Sequence, residues 1–266
     1  MAAVAREHLP EDVATTWINL LRPAAQLYPA ASGDTVVGQL GGEPNLPDGA
    51  EWPWWEDYGP LAFVAAVDCA HLPPLDIELP TEGTLLFFYW DGQVDDGDTV
   101  VGTWEPETQE GARVIYVPPG TPTTVATTPE DLEPYPVVRL AARLAATEPG
   151  YDHPVRRAAF HDPDDPDAFH PTSDDDFVAA LNKVRGFRHQ IGGHATLIQG
   201  PVEFEVAELA EDPDVDPEQW LLLAQIQSDG DAAMMWGDLG TLYWLIRAED
   251  LAARDFDAAA FTWQCS

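Results

Sequence analysis

The chain contains two similar strand–loop–strand blocks, and this repetition constrains its fold more than any other feature. The first block spans residues 61–89 and the second spans residues 221–246. In each block a loop joins two apolar segments, and the second segment begins with Gly-Thr-Leu. A Gly-Gly pair precedes each block, at 41–42 and at 192–193. Each unit is too small to bury its own apolar surface. We therefore expect two repeats that pack together around a pseudo-twofold axis.

The apolar segments are predicted to be strands that are covered on both faces. Their residues are apolar at odd and even positions alike, which is typical of strands inside a protein. Residues 137–144 fit the spacing of either a strand or a helix, and we favour a strand. The predicted strands are 35–40, 61–67, 85–90, 100–104, 112–117, 138–144 and 221–226.

We predict a single α+β domain over residues 1–266, with mostly antiparallel strands and a few peripheral helices. Its two fused repeats are expected at about 33–147 and about 173–266. An N-terminal helix is expected at about 10–22, because Pro10 and the acids that follow it suit a first helical turn.

The charge of the chain limits its partners. The sequence has 47 acidic and 12 basic residues, for a formal net charge of −35, and Lys183 is its single lysine. Such a field repels phosphate backbones, so nucleic acids and anionic membranes are not expected partners. Three interpretations of the acidity remain: general solubility, adaptation to salt, or an acidic surface that recognises a basic partner protein.

The sequence also constrains where the protein is located and whether its cysteines form disulfides. No apolar run reaches the roughly 18 residues that cross a bilayer, and residues 1–10 do not resemble a signal peptide. We therefore predict a cytoplasmic protein. Cys69 and Cys265 are the only cysteines, which indicates neither a disulfide framework nor a zinc site. No cofactor is predicted.

Gln225 is the first candidate ligand-binding residue, because it is a lone amide in an apolar strand. Its donors and acceptors need partners, since leaving them unpaired would cost about 1 to 3 kcal/mol. Either it crosslinks the strand to a loop backbone or it faces a cleft between the repeats. Trp236 and Asp238 form a second candidate pair on the connection before the last strand of the block. Asp238 either bonds to its own turn or anchors a ligand beside Trp236.

His189 and His194 flank the second Gly-Gly pair and are candidate bases or ligands. Two histidines five residues apart, with no third ligand nearby, make a weak zinc motif. Trp52, in a stretch rich in proline and tryptophan, completes the candidate set. No catalytic residue is predicted, because no serine lies in a Gly-x-Ser-x-Gly motif. Residues 151–171 hold three histidines among aspartates, and we interpret this segment as a solvated loop rather than a cation site.

Several motifs together resemble the YwqG-like family of bacterial proteins. They are the Gly-Gly-Glu-Pro-Asn-Leu-Pro string from Gly41, the segments 61–68 and 83–89, His189 to Gly193, 222–229 and the Trp-Gly-Asp-Leu-Gly string from Trp236. The resemblance covers the chain from about residue 33 onward. It implies a duplicated α+β fold of mostly antiparallel strands and no established activity. This chain has Ala66 where the family pattern usually has glutamine, while the second block keeps Gln225.

We expect a non-enzymatic binding protein that recognises a basic protein partner. An immunity-type role, in which the partner is a toxin, is one version of this hypothesis. The acidic loops at 162–167 and 208–218 are its expected contacts. The alternative is a small-molecule-binding protein or enzyme with a cleft between the repeats. A deep pocket lined by Gln225, Asp238, His189 and His194 would favour that alternative.

Overall fold

The computed structural model describes residues 1–160, 170–186, 189–209 and 216–266. No helix within these ranges is both long enough and apolar enough to cross a membrane. The α-helices are α1 (Ala2–His8), α2 (Glu11–Asn19), α3 (Pro154–Phe160), α4 (Asp175–Asn182), α5 (Val202–Ala207) and α6 (Ala248–Ala253). The strands are β1 (Arg22–Pro29), β2 (Val36–Leu40), β3 (Asn45–Pro47), β4 (Trp54–Trp55), β5 (Gly59–Pro60), β6 (Ala62–Asp68), β7 (Thr84–Tyr89), β8 (Ala112–Val117), β9 (Thr123–Val125), β10 (Val138–Thr147), β11 (Gln190–Ile191), β12 (Trp220–Gln227), β13 (Thr241–Arg247) and β14 (Ala260–Gln264).

Ten of these strands form one sheet in the order β14-β13-β12-β11-β1-β10-β2-β6-β7-β8. Every neighbouring pair in this sheet is antiparallel. The pairs β3-β9 and β4-β5 form two small additional sheets. The prediction of a mostly antiparallel sheet with a few helices is therefore confirmed.

Six of the seven predicted strands are present, at β2, β6, β7, β8, β10 and β12. The predicted strand at 100–104 is wrong, since this segment is a loop. The Thr108 hydroxyl accepts the Gly102 N–H at 2.9 Å and lies 3.0 Å from the Gly102 carbonyl oxygen. One buried side chain thus occupies the backbone groups that a strand would use for pairing.

The two blocks have the same strand register. Ala66 of β6 pairs with Gln39 and Leu86. Gln225 of β12 pairs in the same way with Gln190 and Tyr243. The pairing of each strand with the next is also interrupted at the same relative place. Val64 is skipped where β6 pairs with β7, and Leu223 is skipped where β12 pairs with β13. Ala66 therefore occupies the position in its block that Gln225 occupies in the other.

The Gly-Gly pairs adopt the same backbone conformation in both places. Gly41 and Gly42 have φ values of 58° and 74°, and Gly192 and Gly193 have values of 67° and 75°. Glycine enters this left-handed region without a Cβ penalty, so two consecutive residues of this kind favour glycine at both positions. Each pair ends a short strand, β2 or β11, before the chain leaves the sheet.

The main core lies between the two blocks. The Phe87 and Trp244 rings are 5.1 Å apart, and Tyr89 stacks on Phe261 at 4.9 Å. These contacts join β7 to β13 and β14, so the halves of the sheet face each other across one apolar cluster. A second cluster places helix α5 against Tyr243 and Leu245, on the outer face of β13. A third joins α1, α2 and α4.

Candidate functional site

Gln225 is buried on the outer face of β12. Its Oε1 accepts a hydrogen bond of 2.8 Å from the backbone N–H of Thr196. Thr196 lies in the loop that follows β11, and its carbonyl oxygen accepts from the Tyr243 hydroxyl at 2.7 Å. Two polar side chains of the sheet therefore fix this loop above β12 and β13, and their burial strengthens both contacts.

His189 is also buried, and it forms a pair with Asp229 that sequence analysis did not single out. Its Nε2 donates to Asp229 Oδ2 at 3.2 Å, and its Nδ1 accepts the Gln227 N–H at 3.2 Å. Asp229 additionally accepts the N–H groups of Asp231 and Ala232 at 2.9 Å each. The hydrogen bond from His189, with these backbone donors, lowers the pKa of Asp229 to about 2. The pair fixes the turn after β12.

His194 lies in a different buried cluster. Its Nε2 donates to the Leu20 carbonyl oxygen at 2.9 Å, and its ring contacts the His153 ring edge-on at 4.8 Å. His153 Nε2 is 3.5 Å from Glu203 Oε1. Burial, with the nearby His153, lowers the pKa of His194 to about 4, so the imidazole is neutral at pH 7.

This cluster corrects the interpretation of residues 151–171 as a solvated loop. Residues 154–160 form helix α3, and His153 is buried at its start. The groups that contact His153, the His194 ring and the Glu203 carboxylate, come from distant parts of the sequence, which a local pattern does not reveal. His161 and the acidic loop at 162–167 lie outside the described residues, as does most of the loop at 208–218.

The Trp236 and Asp238 side chains point in different directions. Trp236 is buried edge-on against Tyr89 and Tyr135, with ring centroids 5.7 and 5.8 Å away. Asp238 is exposed. The turn is instead closed by Ser228, whose hydroxyl accepts the Trp236 N–H at 2.9 Å and donates to the Gly240 carbonyl at 3.0 Å.

The remaining candidate, Trp52, is partly buried. Its Nε1 donates to the Leu61 carbonyl oxygen at 2.8 Å, and its ring contacts Phe88 edge-on. The candidate residues thus lie in separate places. Of Gln225, Asp238, His189 and His194, only His194 lines the cleft of about 1030 Å³ on the outer face of the sheet. Within the described part of the chain, no three His, Cys, Asp or Glu side chains are grouped to hold a metal ion.

The distribution of charge along the chain reveals a feature that the net charge alone conceals. Residues 23–112 contain 17 acidic residues and no lysine or arginine. This segment supplies β2 to β7, so every lysine and arginine of the chain belongs to other elements. The signal is present in the sequence, and a count by segment would have found it.

Two connections of this acidic segment meet around Trp90. Trp55 and Tyr58, from the first connection, stack at 4.0 Å, and both contact the Trp90 ring edge-on. Gly111, at the end of the second connection, lies against Trp55, where a Cβ would come within 3.0 Å of the ring. The connections 51–60 and 91–111 therefore lie together.

These two connections expose several large apolar side chains. Trp104 is 61% exposed, Trp54 52% and Tyr58 46%, although tryptophan is usually mostly buried. We call the exposed set the aromatic surface; its members are Trp54, Tyr58, Val94, Val100 and Trp104.

Exposed carboxylates accompany the aromatic surface. None of them forms an ion pair with any residue that the structure describes. Carboxylates bind a guanidinium through two parallel hydrogen bonds, and aromatic rings attract the same group through their faces. The arrangement is therefore suited to cationic side chains. These carboxylates belong to Glu51, Glu56, Asp57, Asp96, Asp98, Glu105, Glu107 and Glu110.

Comparison with known proteins identifies a family but no characterised relative. A search of curated proteins found no match. The family described as a domain of unknown function, DUF1963, matches residues 38–265. That range includes both blocks, the two Gly-Gly pairs and all the candidate residues discussed above. The chain therefore belongs to the DUF1963 family.

Proposed function

We propose that this protein binds a basic protein partner through the aromatic surface and its carboxylates. The observation that carries the proposal is the exposure of Trp54, Tyr58 and Trp104 on a segment with 17 acids and no lysine or arginine. Exposed aromatic clusters of this kind mark interaction sites, because they would otherwise be buried in the core.

An arginine-rich segment of the partner fits this surface best. Arginine stacks on aromatic rings and pairs with carboxylates through a planar group, whereas lysine is a compact and strongly hydrated charge. Tryptophan, tyrosine and arginine are also the residues that contribute most to interface affinity. The unpaired acids around the rings would steer a basic partner to the surface and accelerate association.

An immunity-type role, in which the basic partner is a toxin, is the specific version of this proposal. We also propose that the chain is a YwqG-like member of its family, that it is bacterial, and that it acts in the cytoplasm. The motif strings from Gly41 and from Trp236 support the first of these assignments.

We further propose that the two blocks are repeats of one ancestral unit. Three observations support this: the equivalent register of Ala66 and Gln225, the equivalent interruptions at Val64 and Leu223, and the left-handed Gly-Gly pairs. A cleft of about 320 Å³ beside Ala66, lined also by Gln39 and Leu86, lies where the missing glutamine would project.

The binding proposal is tested with labelled oligoarginine and oligolysine peptides of equal length. We expect Trp104→Ala and Tyr58→Ala each to weaken oligoarginine binding by about tenfold, and Met235→Ala, at another exposed apolar position, to have no effect. Oligoarginine should bind more tightly than oligolysine.

A second pair of variants separates local recognition from net charge. The variant Glu105→Gln/Glu107→Gln removes two charges beside Trp104, and Glu7→Gln/Asp257→Asn removes two exposed charges elsewhere. Equal losses of affinity in both variants, or equal affinity of all variants at matched ionic strength, would overturn the proposal. A larger loss in the first variant supports it.

A further inference from the structure

A cleft of about 1030 Å³ lies on the outer face of the sheet. Its floor includes Gln26 of β1, Arg143 of β10 and Gln190 of β11, and α4 contributes a wall. This site is distinct from the aromatic surface, with which it shares no residue. Its size is at the upper end of the range for small-molecule sites, roughly 300 to 1,000 Å³.

Basic side chains are concentrated in this cleft. Arg143, Arg156, Lys183 and Arg185 line it, although the whole chain has only 12 lysines and arginines. Three lining residues are acidic: Glu148, Asp152 and Asp175. Among the described lining residues, four lysines and arginines therefore stand against three acids, in a protein whose acids outnumber its bases 47 to 12.

Three of these four cations have no carboxylate partner among the described residues. Arg185 is paired with Glu148 through its Nε. Arg143 donates to the neutral Gln26 Oε1 at 2.8 Å and lies over the Tyr28 ring. Neither Arg143, Arg156 nor Lys183 has a described carboxylate oxygen within 4.0 Å. These three cations are therefore available to an anion from outside the chain.

Arg156 is the strongest indication, because it is only 7% exposed. Its Nη2 donates to the Thr172 carbonyl and hydroxyl oxygens at 3.2 and 3.1 Å, and its Nη1 donates to the Pro149 carbonyl at 3.4 Å. All these acceptors are neutral. Burial lowers the pKa of Arg156, while the more distant Glu148 opposes this effect. A buried charge without an ionic partner is costly, and a bound anion would remove that cost.

We propose that this cleft binds a small organic anion through its phosphate or carboxylate groups, with Arg143, Arg156 and Lys183 as cationic contacts. Arginine recognises both groups through paired hydrogen bonds. The apolar side chains of Val178, Leu181 and Leu197 line the same cleft and suit the carbon skeleton of such a ligand. A small anion reaches this site more readily than a nucleic acid, because the total charge of −35 repels a long polyanion far more strongly.

The test uses the full chain with pyrophosphate and citrate as separate probes for the two groups. Binding is measured by calorimetry, and thermal unfolding is compared with potassium chloride at the same ionic strength, since salt alone screens the acids. Lys183→Gln and Arg143→Gln remove exposed cleft cations, and Arg6→Gln removes an exposed cation outside the cleft. We expect each cleft variant to weaken binding by about tenfold and Arg6→Gln to leave it unchanged.

Arg156 is buried, so replacing it with glutamine would reduce stability as well as binding. A different variant is therefore needed at this position. Arg156→Lys keeps the charge but not the planar group, so we expect it to bind the probe more weakly while remaining folded. Saturable binding of pyrophosphate but not citrate would show that the site prefers phosphate groups. Saturable binding of citrate but not pyrophosphate would show that it prefers carboxylate groups. No saturable binding of either probe, or binding that the cleft variants and Arg6→Gln weaken equally, would overturn the proposal.

Discussion

The side-chain amide of Gln109 forms two hydrogen bonds with the backbone of Phe261, which is 152 residues away in the sequence. Its Nε2 donates to the Phe261 carbonyl oxygen at 3.1 Å, and its Oε1 accepts the Phe261 N–H at 2.8 Å. Phe261 lies in β14, an edge strand of the ten-stranded sheet. The amide therefore occupies the place that the peptide group of another strand would take. It also joins the connection that carries Trp104 to the opposite half of the fold.

Replacing Gln109 with alanine should destabilise the protein by about 1 to 3 kcal/mol, because both backbone groups of Phe261 lose their partner. The measurement is a denaturant titration. Glu110→Ala, at the adjacent exposed position, serves as the control and should change stability by less than about 0.5 kcal/mol. Equal stability of the two variants would show that the Gln109 contacts contribute nothing.

Leu223→Ala should reduce the free energy of unfolding by about 2 to 5 kcal/mol. Leu223 is fully buried in the main core, where the interruption of β12 places it. Leu239→Ala removes the same atoms from an exposed side chain and should have little effect. A change within about 0.5 kcal/mol for Leu223→Ala would contradict its burial.

Ala66→Gln should be tolerated, with a stability change within about 1 kcal/mol, because Ala66 borders the 320 Å³ cleft. The neighbouring Ala65 faces the main core and is fully buried, so Ala65→Gln should destabilise the protein by more than about 3 kcal/mol. Both variants can be compared by thermal unfolding. If Ala66→Gln unfolded the protein as Ala65→Gln does, the position equivalent to Gln225 would not accept an amide.

Stability should rise with pH between about 4 and 6.5, through His194. The unfolded chain protonates this histidine near its ordinary pKa of 6.5, whereas the folded protein, with a pKa of about 4, does so only in stronger acid. The unfolded state therefore binds more protons in this window, which amounts to about 3 kcal/mol at most. His194→Gln should flatten the pH dependence of unfolding in this window, while His8→Gln, at an exposed position, should not. An unchanged slope in His194→Gln would refute this assignment.

Moderate salt should stabilise the fold. The acids of residues 23–112 have no lysine or arginine in the same segment, so their mutual repulsion is screened by added ions. We expect the melting temperature to rise between dilute buffer and about 0.5 M potassium chloride. A flat or falling melting temperature would mean that these charges are compensated locally.

The local pattern of the sequence determined most of the strands and their equivalence. Apolar residues on both faces predicted β6, β7 and β12, because a strand that is buried on both sides is apolar at consecutive positions over a few residues. The alignment of the two strand–loop–strand blocks predicted Ala66 and Gln225 as equivalent positions, and the register agrees. The prediction of a strand at 100–104 was wrong, because the Gly102 N–H bonds to the Thr108 hydroxyl. Strand propensity takes no account of such a contact.

Only the tertiary structure decided where the polar groups meet. Gln26, Arg143, Arg156 and Lys183 come from β1, β10, α3 and the end of α4, and no short window contains them together. Likewise, the burial of His153 and the contact of Gln109 with Phe261 depend on segments that the fold brings together over long separations. Periodicity indicates which face of an element is apolar. Packing over the whole chain decides which elements become neighbours. It places three cations that have no carboxylate partner among the described residues in one cleft of an acidic protein.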